Sequence, residues 1–153
     1  MTLIRRAVPS DIPAILAMAK DMVAESPRYR AMRFNEEKLN SLALALIRLK
    51  SVPGGCVVAE QEGKLVGMLA FHVGSQFFSD DTFASDLAMY IRPEHRKSTI
   101  FPRMVIEFER WADEYGVDEK LLGVSAEVDS ECTVIVLERM GYRRCAVGTV
   151  KGK

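Results

Sequence analysis

The chain has 153 residues, of which 48% are hydrophobic and 27% charged, with 21 Lys+Arg balanced by 21 Asp+Glu. This length suits one globular domain over residues 1–153 with a sizeable core. The balanced charge gives no overall positive field for nucleic acid or an anionic membrane. No apolar run approaches a transmembrane helix, and the N-terminus lacks a signal-peptide core. Three cysteines without CxxC spacing favour reduced thiols in a cytoplasmic protein.

The first third of the chain predicts one strand and two helices. Residues 3–8 form the strand, and a helix with one apolar face begins near Ser10. A second helix begins at Asn35, whose side chain is a good N-cap. Between the two helices, residues 25–34 break the helical period and concentrate four side chains: Arg28, Tyr29, Arg30 and Arg33.

A hairpin follows. Residues 56–60 and 65–73 are predicted strands, joined by a turn in which Gly63 can adopt positive φ. The connection after the hairpin contains the adjacent aromatics Phe77 and Phe78. If exposed, they would belong to an acceptor or dimer surface; the alternative is that at least one of them is in the core.

Residues 83–115 form the central unit of the chain. Residues 83–91 alternate between apolar and polar or small side chains, which predicts a strand that ends before Pro93. A basic polar loop precedes a helix of about four turns, whose apolar residues recur every three or four positions from Phe101 to Tyr115. The free amides at the start of that helix, together with Arg96 and Lys97, predict an anion-binding loop.

The last part of the chain predicts strand, helix and strand. Gly116 suits a helix C-cap, and residues 120–127 read as a fifth strand. Asp129 or Ser130 caps a helix that runs to residue 140, and residues 142–150 read as a final strand.

The sequence Ile-Arg-Pro-Glu-His-Arg, residues 91–96, followed by an amphipathic helix resembles the acetyl-CoA signature of the GNAT acyltransferase superfamily. In that signature an Arg/Gln-x-x-Gly-x-Gly/Ala loop holds the CoA pyrophosphate. Arg96 matches the arginine, whereas Thr99 and Phe101 stand at the glycine positions. A phage-associated branch of the superfamily is similar in having Arg-x-Ser and few glycines at this loop.

Residues 130–142 resemble the second GNAT signature, Asn-x-x-Ala-x-x-Leu-Tyr-x-x-x-Gly-Phe. Gly141 and Tyr142 match its end, Ser130 stands at the asparagine, and Leu137 stands at the tyrosine that often protonates the CoA thiolate. Both signatures together imply an α+β fold of layered α/β/α type, with a mixed, mostly antiparallel GNAT-type sheet of about six strands and about four helices.

The resemblance implies transfer of an acetyl group from acetyl-CoA to an amine, directly in a ternary complex. The acceptor would be a small molecule or a protein, with no nucleic acid, membrane or metal involved, and a homodimer stays open. By position in the signatures, the residues expected to contact the cofactor are Met89, Tyr90, Ile91, Arg96, Lys97, Ser98, Thr99, Ile100, Phe101 and Ser130.

Direct transfer requires a base for the ammonium and, optionally, an acid for the thiolate. Asp86 and Glu127, near strand ends that should border the cleft, are candidate bases, and each has a structural or solvated carboxylate as its alternative. Tyr90 is a candidate acid if its ring turns inward. Because Leu137 cannot donate a proton and the loop lacks glycines, a catalytically inactive CoA-binding or interaction module stays open.

The arginine-rich segment between the first two helices corresponds to the acceptor side of the cleft in the resembled fold. On that reading, Arg28, Arg30 and Arg33 would face an acidic or carboxylated acceptor. The alternative is a solvated loop.

Overall fold

The computed structural model describes residues 1–152. In chain order these residues form strand β1 (Thr2–Arg6), helices α1 (Ile12–Glu25) and α2 (Glu36–Ala43), strands β2 (Gly54–Gln61), β3 (Lys64–Ser75) and β4 (Thr82–Ile91), helix α3 (Ile100–Glu114), strand β5 (Glu119–Leu121) and helix α4 (Ser130–Arg139). One π-helical turn, Leu44–Arg48, continues α2. The predicted α+β fold class is confirmed.

Local signals in the sequence account for several element ends. The Asn35 side chain accepts a hydrogen bond from the Lys38 amide at 2.9 Å, which is the predicted cap of α2. Gly116 ends α3 with φ of 70°, and Gly63 turns the β2–β3 hairpin with φ of 73°. Both glycines occupy left-handed conformations that other residues adopt at a cost, so the turns form where the sequence predicts them.

The five strands form one sheet in the order β1-β2-β3-β4-β5. The first four are antiparallel to their neighbours, whereas β5 runs parallel to β4. The β4–β5 pairing covers only residues 83–85 of β4 against residues 119–121 of β5. Beyond these residues β4 continues to Ile91 without a partner on that side, and the sheet opens.

Helices cover both faces of the sheet. On one face, here called the α1–α2 face, Met18, Leu46, Val58 and Met68 belong to a single apolar cluster. On the opposite α3–α4 face, a second cluster comprises Val57, Leu69, Phe71, Met104, Phe108 and Leu137. Burial of two such clusters is the main favourable contribution to the stability of the fold.

A β-bulge in β4 changes which face its side chains occupy. Ala70 pairs with Ala88 and Phe71 pairs with Asp86, so Leu87 is an extra residue without a partner on β3. Ala84 therefore belongs to the α3–α4 cluster and Tyr90 to the α1–α2 cluster, although simple alternation would put both on one face. Leu87, predicted with the apolar face of the strand, is 43% exposed.

Three predictions about the sheet are corrected. The first strand ends at Arg6 rather than Val8, and the fifth ends at Leu121 rather than Glu127. The predicted sixth strand over residues 142–150 does not form, and residues 142–152 have no regular secondary structure. Arg144 in this segment contacts Glu131 and Glu138 on α4, and the segment forms no backbone ladder with β5.

Phe77 and Phe78 both lie outside the core, with 99% and 74% of their surface exposed. Their rings contact each other edge to face at 5.1 Å between centroids. The alternative that one of them is a core residue is therefore wrong. None of the helices within residues 1–152 is both long and apolar enough to cross a lipid bilayer.

We predict that Gly55→Ala destabilises the fold by about 1–3 kcal/mol, the usual range for overpacking. A Cβ atom at Gly55 would lie 2.1 Å from Cη2 of Trp111. The indole cannot move freely, because it packs against Phe71 at 5.2 Å and beneath the Arg6 guanidinium at 4.4 Å. Urea denaturation measures the change.

Gly148→Ala is the control for this substitution, since a Cβ atom there meets no atom within 4 Å. Its unfolding free energy should stay within about 0.5 kcal/mol of the parent value. Equal stability of both variants would contradict the packing argument at Gly55.

Candidate functional site

A cleft of about 850 Å³ opens where β4 and the chain after β5 separate. Residues 86–91 of β4 form one wall, and residues 123–126 with Val128 and Asp129 form the other. Residues of α1, of the segment after it and of α2 border the cleft on the α1–α2 face, and the starts of α3 and α4 border it on the α3–α4 face. Elements packed on both faces of the sheet therefore border the same cleft.

Asp86 lies at the narrow end of the cleft, one residue before the bulge. Its Oδ1 accepts a hydrogen bond from the Gly123 amide at 2.9 Å, which joins β4 to the opposite wall. Burial raises the pKa of the Asp86 carboxyl, and the Gly123 hydrogen bond opposes this shift only in part. A carboxylate with a raised pKa in a cleft can accept a proton from a substrate.

Tyr90 borders the cleft and is 7% exposed. The bulge turns its ring to the α1–α2 face, where the Arg96 guanidinium lies 5.5 Å from the ring centroid. Burial, followed by the nearby Glu25 carboxylate, raises the pKa of the Tyr90 hydroxyl. The phenol therefore keeps its proton at neutral pH and is able to donate it.

Arg96 lies at the wide end of the cleft and makes contacts that the sequence does not predict. Its Nη2 donates to Oε2 of Glu25 at 2.7 Å, and its Nε donates to the Ile91 carbonyl at 2.9 Å. Oδ2 of Asp129 lies 3.8 Å from Nη1. The hydrogen bonds from Arg96 hold the pKa of Glu25 below its ordinary value. The Glu25 carboxylate thus binds the guanidinium that the sequence predicts to bind an anionic ligand.

The loop between β4 and α3 borders the cleft through Lys97 and Ser98, both exposed. Lys97 adopts φ of 58°, a left-handed conformation at the turn into the helix. The Ser98 hydroxyl donates to the His95 carbonyl at 2.7 Å and accepts from the Ile100 amide at 3.3 Å. This geometry brings a cation and a hydroxyl to the N-terminus of α3, where anions are stabilised.

Of the predicted site residues, the structure brings Asp86, Met89, Tyr90, Ile91, Arg96, Lys97, Ser98 and Phe101 to the cleft. It does not bring Glu127 to the lining: this residue is exposed, with φ of 59°. Thr99 and Ser130 also lie outside the lining, and Ile100 is buried at 4% exposure among the core residues of α3. Neighbouring side chains on a turn or helix point in different directions, so the spacing of a motif does not tell which of its residues line the cleft.

Leu137, at the position of the signature tyrosine, does not face the cleft. It is 3% exposed and packs in the α3–α4 cluster, whereas Thr133 and Val136 of the same helix border the cleft. The signature position therefore carries a core side chain in this protein. Tyr90 is the phenol that borders the cleft from β4.

Sequence reasoning missed Glu25 and the wall at residues 123–126. Glu25 is 71 residues away from Arg96 in the chain, so no local signal connects them. The wall was assigned to a longer β5, and only Gly123, a weak strand former, indicated a break. Cys132 borders the cleft and is exposed. Among residues 1–152, no group of three or more His, Cys, Asp or Glu side chains is arranged to hold a metal ion.

Comparisons with known proteins agree on the fold. The chain is 17% identical, with a TM-score of 0.73, to a possible acetyltransferase from Clostridium difficile 630, with 100% of this chain and 97% of that chain covered. It is 13% identical, with a TM-score of 0.74, to AAC(6')-Iy solved with the bisubstrate analog CoA-S-monomethyl-acetylneamine, with 100% of this chain and 98% of that chain covered.

The glucosamine-6-phosphate N-acetyltransferase of Arabidopsis thaliana gives 13% identity and a TM-score of 0.74, with 99% of this chain and 98% of that chain covered. No curated protein sequence matches significantly. The profile of the Acetyltransferase (GNAT) family matches residues 18–142, which include both walls of the cleft. The chain therefore belongs to the GNAT family of acetyltransferases.

Proposed function

We propose that the protein is an N-acyltransferase that moves an acetyl group from acetyl-CoA to an amine, directly in a ternary complex. The observation that carries this proposal is the position of Asp86, a carboxylate of raised pKa beside the β4 bulge in a cleft bordered by elements from both faces of the sheet. The cleft volume of about 850 Å³ lies within the usual range of ligand sites.

The residues at the start of α3 fit the phosphates of CoA. Lys97 supplies a positive charge and Phe101 a backbone amide in the first turn of α3, where the Ile100 amide already donates to Ser98, Pro102 has no N–H and the Arg103 amide donates to the Thr99 carbonyl. Arg96 would join them on leaving Glu25. AAC(6')-Iy has been solved in complex with CoA, which supports CoA as the cosubstrate of this chain.

Acetyl-CoA, when bound, supplies the acetyl group as a thioester. In the proposed mechanism Asp86 accepts a proton from the acceptor ammonium, and the neutral amine then forms the new C–N bond while the C–S bond breaks. Main-chain groups of Met89, Tyr90 and Ile91, which border the cleft along the unpaired part of β4, would polarise the carbonyl oxygen. As the C–S bond breaks, the nitrogen loses its second proton to water, and Tyr90 or water gives a proton to the leaving thiolate. Asp86 then releases its proton to solvent and Tyr90, if it was the donor, regains one from solvent, so that each turnover releases one net proton.

A second candidate is a GNAT-fold module that binds CoA or a partner without catalysis. The specific observation in its favour is the Glu25–Arg96 ion pair, because a neutralised arginine attracts phosphate less strongly. The core position of Leu137 leaves the module without the signature acid. Turnover measurements distinguish this candidate from the enzyme.

We predict that acetyl-CoA stabilises the protein by about 2.7 kcal/mol at a hundredfold excess over its Kd, or roughly 5–10 °C in Tm. Thermal-shift titration measures this increase in Tm.

We predict that Arg96→Ala raises the Kd of acetyl-CoA about 10- to 100-fold, since a charge-assisted hydrogen bond to phosphate is lost. Arg139→Ala, an exposed arginine of α4 outside the cleft, is the control. No shift of the parent protein at millimolar acetyl-CoA would contradict the enzyme and the CoA-binding form of the module.

We predict that Asp86→Asn lowers kcat about 10²- to 10⁴-fold by removing the base, while Glu127→Gln changes it little. The unfolding free energy of Asp86→Asn at pH 7 should equal or exceed that of the parent. A raised pKa means that folding favours the protonated carboxyl, so the charged form is a cost that is present above the folded pKa and disappears as pH falls through it. Denaturation at pH 7 and near pH 3, together with CoA-release assays, measures both effects. The reverse order of the two variants would reject Asp86 as the base.

We predict that Tyr90→Phe reduces kcat tenfold or less, on the order of 1.4 kcal/mol in barrier, because water can also protonate the thiolate. The assay is acceptor-dependent CoA release, corrected for release without acceptor. A loss far above a hundredfold would make Tyr90 indispensable and would contradict the role assigned to water.

A further inference from the structure

Helix α2 separates its charges between two surfaces. Lys38, Leu39 and Leu42 border the cleft, together with the capping residue Asn35. Glu36 and Glu37 instead line a separate depression against α1, where Lys20 is their neighbour. The helix therefore presents a cation to the cleft and its carboxylates elsewhere, although its sequence as a whole is acidic.

The segment before α2 adds a second cation to the same wall. Arg33 borders the cleft and is exposed, as is Lys38. Within residues 1–152, neither side chain lies at ion-pair distance from a carboxylate. Because such pairing would cancel their field, the α1–α2 side of the cleft carries two positive charges without internal compensation.

The three carboxylates that border the cleft are arranged differently. Glu25 is hydrogen-bonded to Arg96, and Asp129 lies near the same guanidinium. Asp86 lies at the narrow end, bonded to the Gly123 amide. No carboxylate on the α1–α2 side is therefore left to attract the several ammonium groups of a polycationic acceptor.

The segment that carries Arg33 is fastened over the cleft. Ser26, with 0% exposure, donates from its hydroxyl to the Ala126 carbonyl on the opposite wall and accepts from the Tyr29 amide at 3.0 Å. Arg28 Nη1 donates to the Ser125 carbonyl at 3.3 Å. These bonds join the two walls at the α1–α2 face and limit the freedom of the segment relative to the cleft.

The two groups of free cations reach the cleft from different elements. Lys97 belongs to the loop that leads into α3, a helix packed on the α3–α4 face, whereas Lys38 belongs to α2, which packs on the α1–α2 face. If CoA phosphates take the loop at the start of α3, as the proposed function requires, Arg33 and Lys38 remain available to the other substrate.

We propose that the acceptor is a primary amine that also carries an anionic group, carboxylate or phosphate, and that Arg33 and Lys38 bind this group while the amine faces Asp86. The inference rests on the proposed function, whose substrate class it defines. A guanidinium and an ammonium together match a carboxylate or phosphate through charge-assisted hydrogen bonds. Like charge repels polycationic amines from the same surface.

The test compares acceptors that differ only in the anionic group. Acceptor-dependent CoA release is measured at saturating acetyl-CoA for phosphoethanolamine against ethanolamine, and for 4-aminobutanoate against its amide, with spermidine as the polycation. We expect kcat/KM at least tenfold higher for one or both anionic members. The pair that shows the larger ratio identifies phosphate or carboxylate as the source of the charge.

Two variants and a control assign the preference to residues. Arg33→Gln/Lys38→Gln should reduce the anionic preference about tenfold, and Arg33→Glu/Lys38→Glu should reverse it towards spermidine. Arg30→Gln, an exposed arginine of the same segment outside the cleft lining, should leave the preference unchanged. The Kd of CoA should stay within about twofold in all of them, and Arg30→Gln should also leave the rate with ethanolamine unchanged.

Separate outcomes overturn the inference and the proposed function. Turnover in which ethanolamine or spermidine equals the anionic amines rejects the inference and keeps the enzyme. The inference also fails if the Gln variants slow anionic and neutral acceptors equally. If no amine supports turnover, the proposed function fails. Calorimetry on the CoA-bound protein then decides the inference: binding of phosphoethanolamine or 4-aminobutanoate that the Gln pair abolishes supports it, and absence of such binding overturns it.

Discussion

The pairing between β4 and β5 stops after three residues on each strand, and the gap beyond it determines what the molecule can bind. Two features mark the point where the gap begins. The bulge at Leu87 lies where β4 continues without a partner, and the Gly123–Asp86 hydrogen bond joins the walls at the narrow end. A sheet continued by a long fifth strand would close this space, because paired strands lie only about 4.8 Å apart.

The bulge also connects fold to chemistry. By adding one residue, it puts Asp86 and Tyr90 on different faces of the sheet while both border the same cleft. In the proposed mechanism, Asp86 as base and Tyr90 as acid would approach the reacting centre from two sides, which suits a reaction in which one proton leaves the nucleophile and another reaches the leaving group. The helices on each face then supply different charges, with the start of α3 on one side and Arg33 with Lys38 on the other.

The sequence predicts what depends on neighbouring residues and misses what depends on distant ones. Caps and turns at Asn35, Gly63 and Gly116 are local, and each was found by its own chemistry. The fold class was implied by two partial signatures, whereas the anion-binding loop, predicted from the helix start with Arg96 and Lys97, stays a prediction. Three features depend on tertiary structure and were not predicted: the bulge, the absence of the sixth strand and the ion-pair partner of Arg96. A register shift changes no residue type, so nothing in an alternating pattern reveals it.

The site residues show the same limit on a finer scale. Spacing brought the prediction to the correct loop and strand, yet Glu127 and Ile100 point away from the cleft while their neighbours border it. Leu137 was read as a lost catalytic group, and the structure shows a core residue in contact with α3. A motif position assigns a place along the chain, whereas the direction of a side chain is decided by the backbone turn that carries it.

The ion pair between Glu25 and Arg96 joins the end of α1 to the loop before α3. Glu25 is the last residue of α1, and the buried Ser26 that follows it begins the segment that carries Arg33. An anion that replaces Glu25 at Arg96 would leave the Glu25 carboxylate without this partner at the point where that segment starts. If the segment responds, binding at Arg96 and binding at Arg33 would be coupled, and by thermodynamic reciprocity each would change the free energy of the other by the same amount.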